Sequence, residues 1–181
     1  MGSVGGVGGT PMRVRIGVPR SWKLSIGQSI SVDGVCSTVV ARGKGFFDVE
    51  YMPETLSKTT AGAFAPMRMV NLERSLTVRD FIDGHIVQGH VDAAIRVVGI
   101  EEQKGSRRVS VAIPAHLRKF VVPQGSVALN GVSLTIARVS GARATVALIP
   151  HTLTHTNLGF LKSGDMINIE VDLIARYIIG T

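Results

Sequence analysis

Residues 29–40 read SISVDGVCSTVV, and residues 126–137 read SVALNGVSLTIA. Each stretch alternates apolar and small polar residues around a two-residue turn, Asp-Gly at 33–34 and Asn-Gly at 130–131. Such pairs favour the type I′ turn of tight hairpins, because both central residues of that turn need a positive φ. The two stretches therefore predict two β-hairpins of the same design.

The hairpins belong to a longer internal repeat. Residues 29–73 fall on residues 126–170 when they are shifted by 97 positions without a gap, and 13 of the 45 pairs are identical. The identical residues of the first copy are Ser29, Gly34, Val35, Thr38, Val49, Pro53, Thr55, Leu56, Thr59, Gly62, Met69, Asn71 and Glu73. A repeat of this length indicates a duplicated domain, since solenoid repeats run at roughly 20–50 residues.

Each copy is predicted to be a small β-barrel. Short strands separated by turns are typical of closed barrels, and further strands are predicted over 46–52, 67–73, 85–98, 106–113, 143–149 and 165–171. Short helical turns are expected after Pro53, after Pro150 and over 115–121. We therefore expect an all-β protein with two tandem antiparallel barrels over 12–78 and 79–175, little helix, and the start of a C-terminal segment at 176–181.

The repeat also makes a prediction about the N-terminus. MRVRIGVP at 12–19 corresponds to RRVSVAIP at 107–114, so only residues 1–11, MGSVGGVGGTP, are left to match the first strand of the second copy. This segment is rich in glycine and has no apolar alternation, which is typical of flexible linkers. We therefore expect residues 1–11 to be flexible and the first barrel to lack its opening strand.

Composition limits the class of protein. Hydrophobic residues make up 45% of the chain, which is enough for a packed core. No apolar run approaches the roughly 18 residues of a membrane helix, and no secretory signal pattern is visible, so no membrane partner is expected. The single cysteine, Cys36, excludes an internal disulfide and fits a reducing compartment, which predicts a cytoplasmic protein.

The net charge of +7 raises the question of nucleic-acid binding. The basic residues are scattered, however, and the aromatic residues Trp22, Tyr51 and Tyr177 are far apart in the sequence. Binding of single strands usually needs a basic groove with interleaved aromatic side chains. A solvated basic surface is the favoured interpretation, and no nucleic-acid partner is expected.

Polar clusters on the two hairpins are the first candidates for chemistry. Residues 36–38 (Cys-Ser-Thr) and 133–135 (Ser-Leu-Thr) could donate hydrogen bonds to a heterocyclic ligand at a barrel mouth. The alternative is that Ser and Thr at strand ends bond to the backbone. The recurrence of the cluster in both copies favours the ligand-binding interpretation.

A metal site is not expected from the histidines. His85 and His90 are five residues apart, which puts them on opposite faces of an extended strand. His151 and His155 have the spacing of a helical metal pair, but no third ligand is evident near them in the sequence.

The ordered blocks GQSISVDGVCSTVV, PETLSKT, NLERSL, DGHIVQGHVD, QGSVALNGVSLTI, IPHTLTHT and INIEVD resemble the riboflavin synthase α-chain family. The resemblance covers the chain from about residue 12 to residue 177. It implies two six-stranded Greek-key barrels and a homotrimer held partly by a C-terminal helix. Each active site would then lie between the first barrel of one subunit and the second barrel of its neighbour.

The resemblance also implies an activity. Riboflavin synthases dismutate two molecules of 6,7-dimethyl-8-ribityllumazine to riboflavin and 5-amino-6-ribitylamino-uracil, without a metal or an organic cofactor. Two similar pockets suit a reaction between two identical molecules, because positioning both converts a bimolecular step into a local one. The alternative within the same scaffold is a non-catalytic lumazine- or flavin-binding protein, as lumazine protein is.

Site residues follow from the resemblance position by position. It implies that His90 and Ser133 share the proton transfers and that Cys36 and Thr38 assist across the interface. The substrate-binding residues implied for the first barrel are Ser29, Cys36, Ser37, Thr38, Glu50, Tyr51, Met52, Pro53, Glu54 and Thr55. Those implied for the second barrel are Gly89, His90, Val91, Gln124, Ser133, Leu134, Thr135, Ile149, Pro150, His151, Thr152, Leu153, Thr154 and Asp172.

Three differences from the family pattern stand out. The opening Met-Phe-Thr-Gly strand of the family is absent, Gln124 replaces a usual lysine, and the chain ends soon after Tyr177. The hypothesis from sequence is that the fold and the ligand pockets persist, that the trimer is weakened by the short C-terminus, and that activity is weak or lost.

Overall fold

The computed structural model describes residues 1–179 and contains two antiparallel β-barrels with little helix. The first barrel consists of β1 (Gly2–Gly8), β2 (Met12–Gly17), β3 (Ser29–Val32), β4 (Val35–Gly43), β5 (Phe46–Tyr51), β6 (Met69–Val70) and β7 (Leu72–Arg74). The second consists of β8 (Ala93–Gln103), β9 (Ser106–Ala112), β10 (Ser126–Leu129), β11 (Val132–Ser140), β12 (Arg143–Leu148) and β13 (Met166–Val171).

Both barrels have the same strand order. The second is closed in the order β10-β11-β12-β9-β8-β13. In the first, β6 and β7 are two halves of one strand interrupted at Asn71, and they pair with β1 and β3 respectively. The first barrel is therefore nearly closed, and it is the counterpart of the second strand for strand.

The predicted helical turns are present after the fifth strand of each copy. They are α1 (Pro53–Lys58) and α2 (Pro150–His155), each with proline in its first turn, where the missing N–H removes no intrahelical bond. A 3₁₀ turn spans Ala115–Phe120, and α3 (Leu173–Ile179) ends the described chain. None of the helices described in residues 1–179 is long and apolar enough to span a membrane.

Each barrel is filled by inward-facing residues of alternating strands. Ile16 and Phe47 face each other across β2 and β5 and are fully buried in the first core. Val111 and Val146 are buried in the second core on β9 and β12. Each such side chain contributes roughly 1.5–3 kcal/mol by leaving water, so each copy has a core of its own.

The two hairpin turns have the predicted conformation and meet each other. Asp33 and Gly34 have φ of 49° and 79°, and Asn130 and Gly131 have φ of 47° and 78°, as a type I′ turn requires. A Cβ on Gly34 would lie 2.6 Å from the Gly131 nitrogen, and one on Gly131 would lie 2.9 Å from the Gly34 nitrogen. The barrels are thus related by a pseudo-twofold axis that passes between these glycines.

A polar network surrounds this axis and joins the barrels. The backbone N–H of Asn71 donates to Asp33 Oδ1 at 2.7 Å, and the backbone N–H of Asn168 donates to Asn130 Oδ1 at 2.8 Å. Across the joint, Asn71 Nδ2 donates to the Asn130 carbonyl at 3.0 Å, and Asn168 Nδ2 donates to the Asp33 carbonyl at 2.8 Å. The two halves of the network repeat each other because the two copies supply equivalent residues.

The symmetry of the joint is broken by a carboxylate. Asp33 is fully buried, and burial raises its pKa to about 6 even though Asn71, Arg68 and Asn157 act in the opposite direction. Its Oδ1 accepts from Asn157 Nδ2 at 2.8 Å, while its Oδ2 has no hydrogen-bond partner among the described residues. Asn130 is the uncharged counterpart in the second copy.

The expectation that residues 1–11 are flexible is wrong, because residues 2–8 form β1. Val4 pairs with Ile16 and is buried in the first core, and Gly2 pairs with Val70. A Cβ on Gly2 would lie 2.5 Å from the Gly17 carbonyl oxygen, so glycine there permits a close approach of two strands. The first barrel therefore has its opening strand.

The predicted strand over 85–98 is also corrected. The ladder starts at Ala93 and continues to Gln103, whereas residues 85–92 form a connecting segment before it. Gly84 and Gly89 have positive φ, and the amides of residues 88 and 89 bond to a side chain instead of a neighbouring strand. Of the C-terminal segment expected at 176–181, residues 180 and 181 lie outside the described residues.

Candidate functional site

The predicted polar clusters occupy equivalent strands, and alternate residues point outward. Cys36 and Thr38 are exposed on the outer face of β4. Ser133 and Thr135 hold the equivalent outer positions of β11. This arrangement follows from the two-residue period of a strand. It gives the chain two related surfaces that could contact a ligand.

Some residues assigned to the pockets, Ser37 and Leu134 among them, have side chains in the barrel interiors instead. Ser37 is buried, and its hydroxyl bonds to the Val35 carbonyl and to the Tyr51 hydroxyl, each at 2.9 Å. Leu134 packs against the core of the second barrel. Each lies between two outward-facing residues, so the side chains of Ser37 and Leu134 support the sites from within the barrels.

The segment that precedes β8 crosses to the first barrel. The Cys36 N–H donates to the Gly89 carbonyl at 2.8 Å. Gly89 has φ of 81°, and a Cβ there would lie 2.8 Å from the Cys36 nitrogen. Val91 packs against the core of the first barrel. The Gly89–Val91 stretch, assigned to the second pocket from sequence, therefore contacts the first.

His85, and not His90, lies beside Ser133, the residue with which the resemblance paired His90 for the proton transfers. Its Nδ1 lies 2.7 Å from the Ser133 hydroxyl, whereas the His90 ring is exposed on another part of the segment. His85 Nε2 is buried and has no hydrogen-bond partner among the described residues. Burial lowers the pKa of His85, and the charge of Asp172 opposes this shift. His85 is thus predominantly neutral at pH 7 and could accept a proton from Ser133.

The sequence held no signal that His85 would lie beside Ser133. The five-residue spacing of His85 and His90 was used only against a shared metal site, and His90 was chosen by resemblance. Because Gly84, just before the segment, and Gly89, within it, have positive φ, strand alternation does not apply to residues 85–92. The packing of Gly84 against Ser133, where a Cβ would lie 2.5 Å from the hydroxyl oxygen, depends on the tertiary fold.

A cavity of about 650 Å³ lies between the barrels and brings the two outer faces together. Four residues predicted from sequence line it, namely Ser29, Cys36, Gly89 and Ser133. His85, Glu73 and His155 also line it and were not predicted. A volume of this size is typical of sites for small heterocyclic ligands, which span roughly 300–1,000 Å³.

The other predicted residues do not line this cavity. Asp172 accepts the Ile174 N–H at 2.9 Å at the start of α3. Gln124 is an exposed turn residue with φ of 65°. Glu50 and Met52 are exposed, and Tyr51 is buried. Further predicted residues lie on the two short helices or directly before the second: Pro53, Glu54, Thr55, Ile149, Pro150, His151, Thr152, Leu153 and Thr154.

The two short helices differ at their titratable positions. Glu54 and Lys58 form an exposed ion pair at 2.6 Å on α1. The equivalent residues of α2, His151 and His155, stack with ring centroids 4.1 Å apart. Within residues 1–179, no group of three His, Cys, Asp or Glu side chains is arranged to hold a metal ion.

The chain matches known proteins in sequence. The sequence model of the lumazine binding domain matches residues 1–75 and 88–172. The riboflavin synthase of Brucella abortus (strain 2308) is 41% identical over 159 residues, which cover 85% of this chain and 79% of that protein. The riboflavin synthase of Bacillus subtilis (strain 168) is 37% identical over 152 residues, 84% of this chain and 71% of that protein.

Solved structures with the same fold include the protein LumP. The crystal structure of LumP complexed with riboflavin has a TM-score of 0.87 at 22% identity, and that of LumP complexed with 6,7-dimethyl-8-(1'-D-ribityl) lumazine has 0.85 at 21%. Each comparison covers 94% of both chains. At this identity the likeness establishes the tandem-barrel fold.

Proposed function

The chain belongs to the lumazine-binding domain family, and we propose on this basis that it is a riboflavin synthase. The reaction is the dismutation of two 6,7-dimethyl-8-ribityllumazine molecules, in which one transfers a four-carbon unit to the other. The products are riboflavin and 5-amino-6-ribitylamino-uracil. The observation that carries the proposal is the likeness to riboflavin synthases over most of their length.

The duplicated fold suits this chemistry. The two copies present equivalent outer faces at Cys36 and Ser133, and in a homotrimer the face of the first barrel of one subunit would lie opposite that of the second barrel of its neighbour. Two identical substrates need two similar pockets. Holding both substrates at reacting distance turns a bimolecular reaction into one within a single complex, and such positioning can lower the activation barrier by about 7–11 kcal/mol.

Specific residues are proposed for the proton transfers. The reaction needs a proton removed from the C7 methyl group of one lumazine and a nucleophile added at C7 of the other. Ser133 would act in the second barrel with His85 as its proton partner, since their polar atoms are 2.7 Å apart. Cys36 and Thr38 would act in the first barrel, and His90 remains a candidate for a further proton transfer because its ring is exposed.

Assembly and location complete the proposal. A homotrimer would bury the apolar side chains that α3 exposes, Ile174, Tyr177 and Ile178. Light scattering should then give three times the 19.2 kDa mass of the chain, and a stable monomer would contradict the trimer. The single cysteine favours the reducing environment of the cytoplasm.

The test is incubation with 6,7-dimethyl-8-ribityllumazine while riboflavin absorbance and fluorescence are recorded. The expected result is riboflavin formation well above the uncatalysed rate and proportional to protein concentration. Tight lumazine binding without riboflavin formation would contradict the synthase and indicate a non-catalytic lumazine-binding protein.

A further inference from the structure

Glu170 is a buried carboxylate on β13 to which the proposed chemistry gives no role. Only 5% of the residue is exposed. Its Oε1 accepts the Gln88 N–H at 2.8 Å and its Oε2 accepts the Gly89 N–H at 3.0 Å. Both oxygens of one carboxylate therefore hold two successive amides of the segment that precedes β8.

The same segment contacts the first barrel from its other side. The Gly89 carbonyl accepts the Cys36 N–H at 2.8 Å, and Gly89 has a φ of 81°. Any Cβ at residue 89 would collide with Cys36. The Gly89 peptide is thus held between a carboxylate of the second barrel and a strand of the first.

The segment also reaches the reactive position of the second barrel. Four residues before Gly89, His85 lies 2.7 Å from the Ser133 hydroxyl through its Nδ1. Residues 85–89 therefore contact Cys36 at one end and Ser133 at the other, and both residues line the inter-barrel cavity. A displacement of this segment would alter both reactive positions at once.

We propose that Glu170 is a positioning residue which, by gripping the amides of residues 88 and 89, holds residues 85–89 against Cys36 and Ser133. The claim that these positions are reactive rests on the proposed synthase function. The positioning of residues 85–89 by Glu170 does not depend on that function, because its hydrogen bonds can be measured in the protein without substrate. The counterpart of Glu170 in the first copy, Glu73, is exposed and faces the cavity.

The amide hydrogen bonds supply a direct measurement. Glu170→Gln keeps the size of the side chain. However, its NH₂ group is a donor and cannot accept a hydrogen bond from the backbone N–H that it faces. Loss of a charge-assisted hydrogen bond should speed local opening by roughly tenfold or more. Hydrogen exchange at the amides of Gln88, Gly89 and Cys36 should accelerate together in the full-length protein.

The Cys36 amide decides the outcome, since it does not touch Glu170. Faster exchange at Cys36 by roughly tenfold, with the Asp33 amide of the inter-barrel joint unchanged, is the expected result. The matched control is Glu101→Gln, an exposed carboxylate on the β8–β9 hairpin, which should leave all these rates as they are. Acceleration confined to Gln88 and Gly89 would overturn the proposal.

A second variant covers the case in which Glu170→Gln does not fold. Gly89→Ala leaves Glu170 intact and places a Cβ against Cys36, so it should displace the segment from the opposite side. Faster exchange at Cys36 is expected again, and an unchanged rate in the folded variant would overturn the proposal.

Kinetics separate this proposal from the synthase function. Loss of positioning should lower kcat for lumazine dismutation by roughly tenfold or more while KM changes less, because misplacement affects the reacting geometry. A parent protein that forms no riboflavin would contradict the synthase proposal, while the Cys36 exchange rate would still decide the role of Glu170. An unchanged kcat in an active Glu170→Gln would overturn the positioning role.

Discussion

Asp33 and Asn130 show at the residue scale how one atom changes the behaviour of a turn. Both residues hold the first turn position with positive φ, and both accept an asparagine amide. Only Asp33 can ionise, and its burial raises its pKa from 3.8 to about 6. The folded pKa is above the unfolded value, so the folded protein favours the protonated carboxyl. Its contribution to the free energy of unfolding is therefore fully present below pH 3.8 and is lost as the pH rises through about 6.

The prediction is that Asp33→Asn flattens the pH dependence of stability. From pH 8 to pH 5, protonation of Asp33 should add roughly 1 kcal/mol to the free energy of unfolding. The asparagine variant should lack this gain. Urea unfolding of both proteins at the two pH values checks the prediction, and an identical pH dependence would contradict the raised pKa.

His85 carries the second prediction at this scale. A neutral imidazole is needed to accept the Ser133 proton, and burial keeps the pKa of His85 below 6.5. The acid limb of kcat/KM against pH should therefore lie below pH 6.5. His85→Ala should lower kcat by about 100-fold or more, which is typical of a lost general base.

Two other histidines provide comparisons for His85→Ala. His116 is exposed on the 3₁₀ turn at Ala115–Phe120 and has no place in the site, so His116→Ala should keep the parental rate. His90→Ala should cost less than His85→Ala. A larger loss of kcat in His90→Ala would mean that His90, the residue chosen from sequence, accepts the proton of Ser133.

Strand alternation and the resemblance predicted part of the candidate site. Ser29, Cys36, Gly89 and Ser133 were predicted to bind substrate, and they line the cavity; their roles stay a prediction. The pairing of His85 with Ser133 was not predictable, since it joins residues 48 positions apart through a segment with no regular period. The inward direction of Ser37 follows from its place between Cys36 and Thr38, and the alternation of β4 could have revealed it.

At the scale of elements, β1 shows where composition misleads. Glycine lowers strand propensity, so a segment with five glycines over residues 2–9 predicts a linker. The backbone nevertheless pairs on both sides, because the barrel supplies partners in β2 and β6. The same register irregularity occurs between Val4 and Gly6 of β1 and between Val97 and Gly99 of β8. The repeat held this information, because Val and Gly stand at the two ends of the irregularity in both copies, but at an offset of 93 residues and not 97.

The prediction for β1 compares two valines of the same strand. Val4 is 1% exposed in the first core, and Val7 is 38% exposed. Val4→Ala should lower the free energy of unfolding by about 2 kcal/mol through lost burial and the cavity left behind. Val7→Ala should change it by less than about 0.5 kcal/mol. Urea unfolding measures both, and equal effects would mean that β1 does not contribute to the core.

The strands of the hairpins were well predicted because their signals are local. An Asp-Gly or Asn-Gly pair between alternating residues needs no tertiary partner to be recognised. The strand predicted over residues 85–92 is absent, and the backbone of residues 88 and 89 bonds to Glu170 and Cys36 instead of a neighbouring strand of the second barrel. Nothing in the local sequence identifies such distant partners.

At the scale of the whole molecule, the approach of Gly34 and Gly131 sets how closely the barrels pack. A Cβ on Gly34 would lie 2.6 Å from the Gly131 nitrogen, a backbone atom that cannot move without moving its barrel. Gly105 has nearly the same φ, 76° against 79°, but a Cβ there would meet nothing within 4 Å. A comparison of substitutions at Gly34 and Gly105 therefore distinguishes the cost of packing from the cost of backbone conformation.

The prediction is that Gly34→Ala destabilises the protein more than Gly105→Ala does. Both variants strain the left-handed backbone by about 1–2 kcal/mol. Only Gly34→Ala should add an overpacking cost of about 1–3 kcal/mol at the joint. Urea unfolding of the pair measures the difference, and equal losses would show that the barrels can separate slightly at no cost.

The joint between the barrels also has a meaning for the history of the chain. Two separate, identical barrels assembled as a symmetric dimer must present the same side chain on both sides of their axis. They could offer two carboxylates or two amides at the turn, but never one of each. Asp33 beside the axis and Asn130 at the matching position form a combination that two identical barrels cannot offer and that a duplicated chain, whose halves mutate independently, can. The covalent link between the barrels thus allowed the two halves of a once-symmetric contact to become different.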